Sequence, residues 1–319
     1  FFIYTLLGSL LMLVAIIFFF FYLSPAPFDI SNVHSVSLSP EAETFVLLAF
    51  MLAYAIKIPL FPFHTWQPDT YTQAPTAGTM LLSGIMLKMG LYSIIRWVLP
   101  VAPNALMEHR TWMIWLIVIG IAYASIIAIQ QKDLKRLFAY SSIAHVGLIA
   151  AGILTMSTEG LMGSMLQMVA HGINAVGLFY ICAILMERTQ TNEIAALGGI
   201  RNIAPWFATT YFVVLLGSVA LPLTNGFPGE FMLLSSLFQL NWGWSLVAGS
   251  GVILGAVYMF KSYQGVMLGE IKVSSFRDLD NWDKAILIPI VIAIVLMGIL
   301  PNVITRIAQP SIEQLLQSL

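Results

Sequence analysis

Five side chains able to hold or pass a proton stand inside apolar stretches of this 319-residue chain: Lys57, Lys88, His145, His171 and Glu230. An ammonium at the centre of a hydrocarbon-depth helix costs on the order of 2.5–3.5 kcal/mol on insertion scales. Lys57, in Ala53-Tyr54-Ala55-Ile56-Lys57-Ile58-Pro59, and Lys88, in Leu87-Lys88-Met89, must therefore face protein or water. Each must also be neutral part of the time or be compensated by a carboxylate, and a group near that balance passes a proton under modest driving force. For Lys57 the alternative is snorkelling to an interface. Glu230 follows Pro228-Gly229 and is expected to be the only acidic residue inside a span. It suits a terminal proton acceptor, or else the cap of a restarted helix. Histidine titrates near neutrality, so His145 and His171 fit a lateral relay between Lys88 and Glu230, with satisfied core hydrogen-bonders as the alternative. His64 and Asp69 read as loop anchors.

Other chemistries lack their residues. Cys182 has no second cysteine to pair with, which excludes a disulfide framework and a cysteine-ligated metal or iron–sulfur site. No metal-ligand spacing, phosphate loop or nucleophile elbow is found. Fourteen Lys+Arg against fifteen Asp+Glu give a net charge of −1, which argues against a nucleic-acid surface. The chain is 59% hydrophobic and 9% charged, against roughly 25% charged in soluble domains. It reads as a membrane protein.

The elements that must position these residues are apolar segments of about 20 residues, the length a bilayer core demands. Nine are expected, near 1–23, 43–63, 74–99, 111–130, 137–157, 161–186, 205–238, 243–266 and 284–305. They are too long and too uniformly apolar for barrel strands, so the fold class is all-α, a polytopic transmembrane helical bundle. Counting Lys and Arg on alternate sides gives nine (132, 135, 136, 188, 201, 261, 272, 277, 284) against three (96, 110, 306), which makes the first side cytoplasmic. Prolines interrupt two spans: Pro59 and Pro62 in the second, Pro222 and Pro228 in the seventh. Paired breaks point to inverted repeats with an ion path at the breaks; ordinary proline kinks are the alternative. The opening Phe1-Phe2-Ile3, with no Met and no basic leader, reads as a shortened chain.

The stretch KIPLFPFHTWQPDTYTQAPTAGTMLLSGIMLKMGLYSIIR (57–96) resembles the antiporter-like membrane subunits of respiratory complex I, chain M type, with mitochondrial subunit 4 as counterpart. DLKRLFAYSSIAHVGLI (133–149), HGINAVGLFY (171–180), LGGIRN (197–202) and LPLTNGFPGEF (221–231) extend the match. The resemblance implies two inverted five-helix repeats, each with one discontinuous helix. On that template, 1–99 is the remainder of the first repeat, 111–266 the second, and 284–319 a C-terminal span and tail. Lys57 and Glu230 then match the charged residues of the two broken helices, Lys88 the central lysine, and His145 and His171 the connecting axis. The family's glutamate partner for Lys57 belongs to a span absent from this sequence. The implied activity is proton translocation coupled to NADH:quinone oxidoreduction. No nicotinamide, flavin or iron–sulfur cofactor is expected in this chain. The implied partners are other complex I membrane subunits, including L-type and N-type ones, and the implied location is the bacterial inner membrane. The rival resemblance is to the D subunit of multisubunit sodium/proton antiporters, which tends to carry lysine at the Glu230 position; hydrogenase-linked subunits are further relatives.

The basic asymmetry predicts that 131–136 and 187–204 face the cytoplasm, and that 24–42 and 100–110 face the opposite side. Single cysteines at Lys135 and Asn104 should therefore react with an impermeant reagent from opposite sides. Labelling of both from one side would overturn the nine-span topology.

Overall fold

The computed structural model describes residues 1–23, 36–273 and 275–319. Among them, seven helices are long and apolar enough to cross a membrane: α1 (Phe2–Tyr22), α4 (Thr76–Val101), α5 (Pro103–Gln130), α6 (Leu134–Ile153), α7 (Thr158–Thr189), α10 (Trp242–Met267) and α11 (Asn281–Ile299). Two further crossings are made by pairs of half-helices, α2 (Pro40–Lys57) with α3 (Trp66–Gln73), and α8 (Pro205–Ser218) with α9 (Gly226–Leu240). The described residues form helices and no strand. The chain is an integral membrane protein.

Each break satisfies freed backbone groups locally, as a helix interrupted at membrane depth must. At the first, α2 stops at Lys57, and the Trp66 indole donates from Nε1 to the Ile56 carbonyl at 3.0 Å. At the second, the chain between Ser218 and Gly226 holds Ala220 and Leu223 at φ of 57° and 75°, the Leu221 amide donates to the Leu216 carbonyl at 3.2 Å, and Thr224 donates from Oγ1 to the Leu221 carbonyl at 2.7 Å. Pro228 lies in the first turn of α9, where its missing amide has no intrahelical partner to lose.

α6 and α7 form the centre. α6 is buried along nearly its whole length, and around the pair pack α3, α4, α5, α8, α9, α10 and α11. Glycines let backbones approach where the charged groups meet, as small residues do between membrane helices. A Cβ on Gly172 would sit 3.0 Å from the Gly84 carbonyl oxygen, bringing α4 against α7. A Cβ on Gly229 would sit 2.7 Å from Gln167 Oε1, bringing α9 against α7. α4 widens into π turns at Leu82–Met86 and Ile94–Val98, and Lys88 lies between them.

Loop contacts sort the helix ends into two sides that agree with the expected alternation. On the basic side Arg136 meets Asp69 at 2.7 Å, Arg188 meets Asp283, and Asp278 caps α8 by accepting from the Trp206 and Phe207 amides at 3.0 and 2.9 Å. On the other, Glu43 Oε1 caps α5 by accepting from the Asn104 and Ala105 amides at 2.7 and 3.0 Å, and Gln239 donates to Glu159 at 2.6 Å. Most of the 24–42 loop lies outside the described residues.

Three expectations need correction. Glu230 shares the spans with Glu43, a buried carboxylate at the head of α2. The ninth span ends at Ile299 instead of 305, because Pro301 cannot continue the hydrogen-bond ladder and a separate helix, α12 (Asn302–Gln317), follows. α12 is amphipathic: Ala308 and Ile312 are buried, and the helix packs on α7. Lys135 is only 5% exposed and donates from Nζ to the Ala74 carbonyl at 2.6 Å, so Lys132, exposed just before α6, is the accessible position for labelling the basic side.

Candidate functional site

Four of the five expected residues meet in the interior. Lys88 Nζ lies 2.6 Å from His171 Nδ1 and donates to the Ser83 carbonyl at 2.5 Å. The other nitrogen of the same ring, His171 Nε2, is 3.0 Å from Ser142 Oγ. His145 stands next along the row, its ring centroid 5.7 Å from that of His171. His145 Nδ1 lies 2.9 Å from Glu230 Oε1, which also accepts from Gln167 Nε2 at 2.9 Å. Glu230 is 3% exposed and lies past the first turn of α9, and its hydrogen bonds run to side chains and none to a backbone amide. The helix-cap alternative therefore does not describe it.

These partners assign the protons. A charged lysine only donates, so His171 accepts at Nδ1 and carries its own proton on Nε2, aimed at Ser142. An ionised Glu230 only accepts, so His145 donates from Nδ1, which leaves its Nε2 as an acceptor; that atom is buried and without a hydrogen-bond partner. Between the rings is a cavity of about 10 Å³, lined by Ser141, Ser142, His145, Gln167, His171 and Asn174 among others. That is close to the least volume that holds one water, and its walls supply the polar partners such a water needs. The arrangement can move one proton at a time between Lys88 and Glu230, each histidine taking it on one nitrogen and releasing it from the other.

Lys57 stands apart. It is half-buried at the C-terminal end of α2, beside a cavity of about 200 Å³ lined by Thr5, Ser9, Tyr54 and Ser93 among others, and among the described residues it meets no carboxylate. Its stem touches α4 at Gly90, where a Cβ would sit 3.5 Å from Lys57 Cγ, two residues past Lys88. Asp69 lies in α3 and not in a loop, and ties that half-helix to α6 through Arg136 at 2.7 Å. His64 differs: it is 3% exposed, with its ring against Phe61 and Tyr123 and Nδ1 without a partner.

Sequence reasoning missed the uncharged members of the site, Ser83, Ser142, Gln167 and Asn174. A signal for two of them was present. Gln167, His171 and Asn174 follow one another at the four- and three-residue spacing of a single helix face, a polar stripe in an apolar helix.

With this geometry in hand, comparison with known proteins decides the family. The model of the family described as "NADH:quinone oxidoreductase/Mrp antiporter, TM" matches residues 1–257. The chain belongs to this family. Subunit M of the NADH-quinone oxidoreductase of Rickettsia prowazekii is 42% identical over 99% of the chain, which spans 65% of that relative's length. A chain of respiratory complex I from Thermus thermophilus is 32% identical, with a TM-score of 0.92 over 99% of this chain and 68% of that one. A chain of the Mrp complex from Dietzia sp. DQ12-45-1b superposes with a TM-score of 0.85 over 98% of this chain and 66% of that one. At 17% identity that last likeness shows the shared fold alone. The two broken helices and the row of ionisable groups between them are thus carried on the membrane fold of this family.

The His145 contact makes Glu230 testable. Glu230→Gln keeps the size and can still meet Gln167, but removes the carboxylate that accepts the His145 proton. In vesicles holding the full-length subunit in its assembly, proton transport should fall roughly ten-fold or more, with assembly intact and Glu230→Asp retaining more. Unchanged transport in the Gln variant would leave Glu230 a packing role only.

Proposed function

We propose that this chain is the proton-translocating part of an M-type membrane subunit of NADH:quinone oxidoreductase, coupling electron transfer elsewhere in the complex to proton movement through its interior. The observation that carries this reading is the row Lys88, His171, His145 and Glu230, joined by contacts of 2.6 and 2.9 Å at its ends and by one water-sized cavity at its centre. Subunit identity rests on the 42% likeness to subunit M and on glutamate at position 230, where the D-type antiporter pattern tends to have lysine. In this role the chain works beside the other membrane subunits of the complex, L-type and N-type among them, in a bacterial inner membrane with the basic side cytoplasmic.

The steps follow from the donors and acceptors. Lys88, as the ammonium, gives a proton to His171 Nδ1. His171 releases one from Nε2 through Ser142 or the cavity water to the free Nε2 of His145. His145 then gives its Nδ1 proton to Glu230. One proton is moved and no co-reactant is needed. Afterwards both rings hold the opposite tautomer and must exchange protons before a second transfer, so the relay advances in single charges. Lys57, beside its own cavity at the first break, is the group that loads Lys88 from the cytoplasmic side, and Glu230 at the second break discharges to the other side.

Lys57 separates proton carriage from fixed charge. Lys57→Met removes the site at similar bulk and should stall or uncouple pumping in reconstituted vesicles. Lys57→Arg keeps the charge but should be equally damaging, since guanidinium does not release its proton in proteins. Normal pumping by the Arg variant would end the carrier role of Lys57.

A further inference from the structure

Away from the proton row, α4, α7 and α12 line a cavity of about 670 Å³ at the end of the bundle opposite the basic side. Its walls are mostly apolar, with Ile95, Met165, Ile304, Ile312 and Leu315 among them. Its polar members are Ser311, Gln314 and Ser318, spaced along one face of α12, and Tyr92 and Arg96 of α4. Arg96 is exposed, five residues before the end of α4, and among the described residues it meets no carboxylate. This side of the membrane carries three of the basic residues and the other nine. A basic residue is disfavoured on the translocated side, and this one offers five N–H donors to a partner the chain does not supply.

The apolar surface continues from Arg96 toward the middle of the membrane. Tyr92 also lines a second cavity of about 670 Å³, together with Ile85, Lys88 and Met89 of α4, Val169 of α7 and Ile290 of α11. Ile85, Met89, Tyr92 and Val169 are all exposed, at 59, 58, 52 and 41%. Lys88 borders this groove while its ammonium turns inward to His171. From Arg96 to Ile85 is roughly 16 Å along the helix, close to one leaflet's half of a core about 30 Å thick.

We propose that the two cavities form the site of one anionic phospholipid, its phosphate held by Arg96 between α4 and α12 and one acyl chain lying in the groove over Lys88. Guanidinium meets phosphate through two parallel N–H···O bonds, and Ser311, Gln314 and Ser318 can donate to the remaining oxygens. Amphipathic α12 suits the headgroup plane, where such helices lie. The apolar walls beside the arginine and the one-leaflet depth of the groove select a lipid over a free anion. The chain closes the outer side of Lys88 against water. This site does not depend on the relay proposed above.

The test uses the full-length subunit in its assembled complex, in phosphatidylcholine vesicles doped with phosphatidylglycerol that carries a diazirine near the end of one acyl chain. Adducts are mapped by mass spectrometry. The site predicts labelling within 85–92 on α4 and 169–176 on α7, stronger by roughly five-fold than with a phosphatidylcholine probe of the same chains, and no competition by inorganic phosphate. Arg96→Gln should abolish that preference, Arg96→Lys should keep most of it, and Arg110→Gln, on the same side but outside the cavity, should leave it unchanged. Equal labelling by the two probes, or an unchanged preference in Arg96→Gln, would overturn the headgroup site. Competition by inorganic phosphate would overturn the lipid in favour of a free anion. Adducts on neither helix would mean that another part of the longer subunit covers the groove, and would also overturn the proposal. If Arg96→Gln fails to assemble, the two probes compared on the parental complex and on Arg96→Lys decide.

Discussion

The contact on which the rest of the interior depends is the 2.6 Å meeting of Lys88 Nζ with His171 Nδ1. A lysine in an apolar helix is tolerable only if its ammonium finds acceptors, and here these are a ring nitrogen and the Ser83 carbonyl within the first π turn of α4. The ring can serve because its own proton is committed to Ser142 on its far side. The lysine can arrive because Gly84 and Gly172 let two backbones pass closely. The polarity of the row is then set, each ring being an acceptor toward Lys88 and a donor toward Glu230.

The two breaks have different surroundings. At the second, Glu230 is closed in by His145 and Gln167 and held by the close approach of Gly229 to α7. At the first, Lys57 lines a cavity of about 200 Å³ against α1 and α4. At the first break a half-helix ends on a charged residue and at the second one begins shortly before one, and in both a side chain bonds freed carbonyls, Trp66 that of Ile56 and Thr224 those of Leu221 and Leu216. The two breaks thus set one charged group among side-chain partners and the other beside a cavity.

Much of this was legible in the chain itself, because the cost of a charge in hydrocarbon is large enough to mark Lys57, Lys88 and Glu230 without coordinates. Proline marked both breaks for a similar reason, the loss of an amide donor. What stayed hidden carries no such penalty. Ser142 and Gln167 are ordinary interior residues of membrane helices until a ring or carboxylate is placed beside them. Hydropathy overran the ninth span because the apolar face of α12 continues the signal past Pro301, and hydropathy does not register the turn. Lys135 was counted as a surface charge, although its stem is buried and its head caps α3.

The central claim is that Lys88 and Glu230 are ends of one path and not members of two independent sites. The direct measurement is proton transport per electron pair in the full complex for Lys88→Met, Glu230→Gln and the double variant. A single path predicts that the double variant transports no less than the worse of the two singles. Losses that multiply would contradict it and divide the interior into two separate channels.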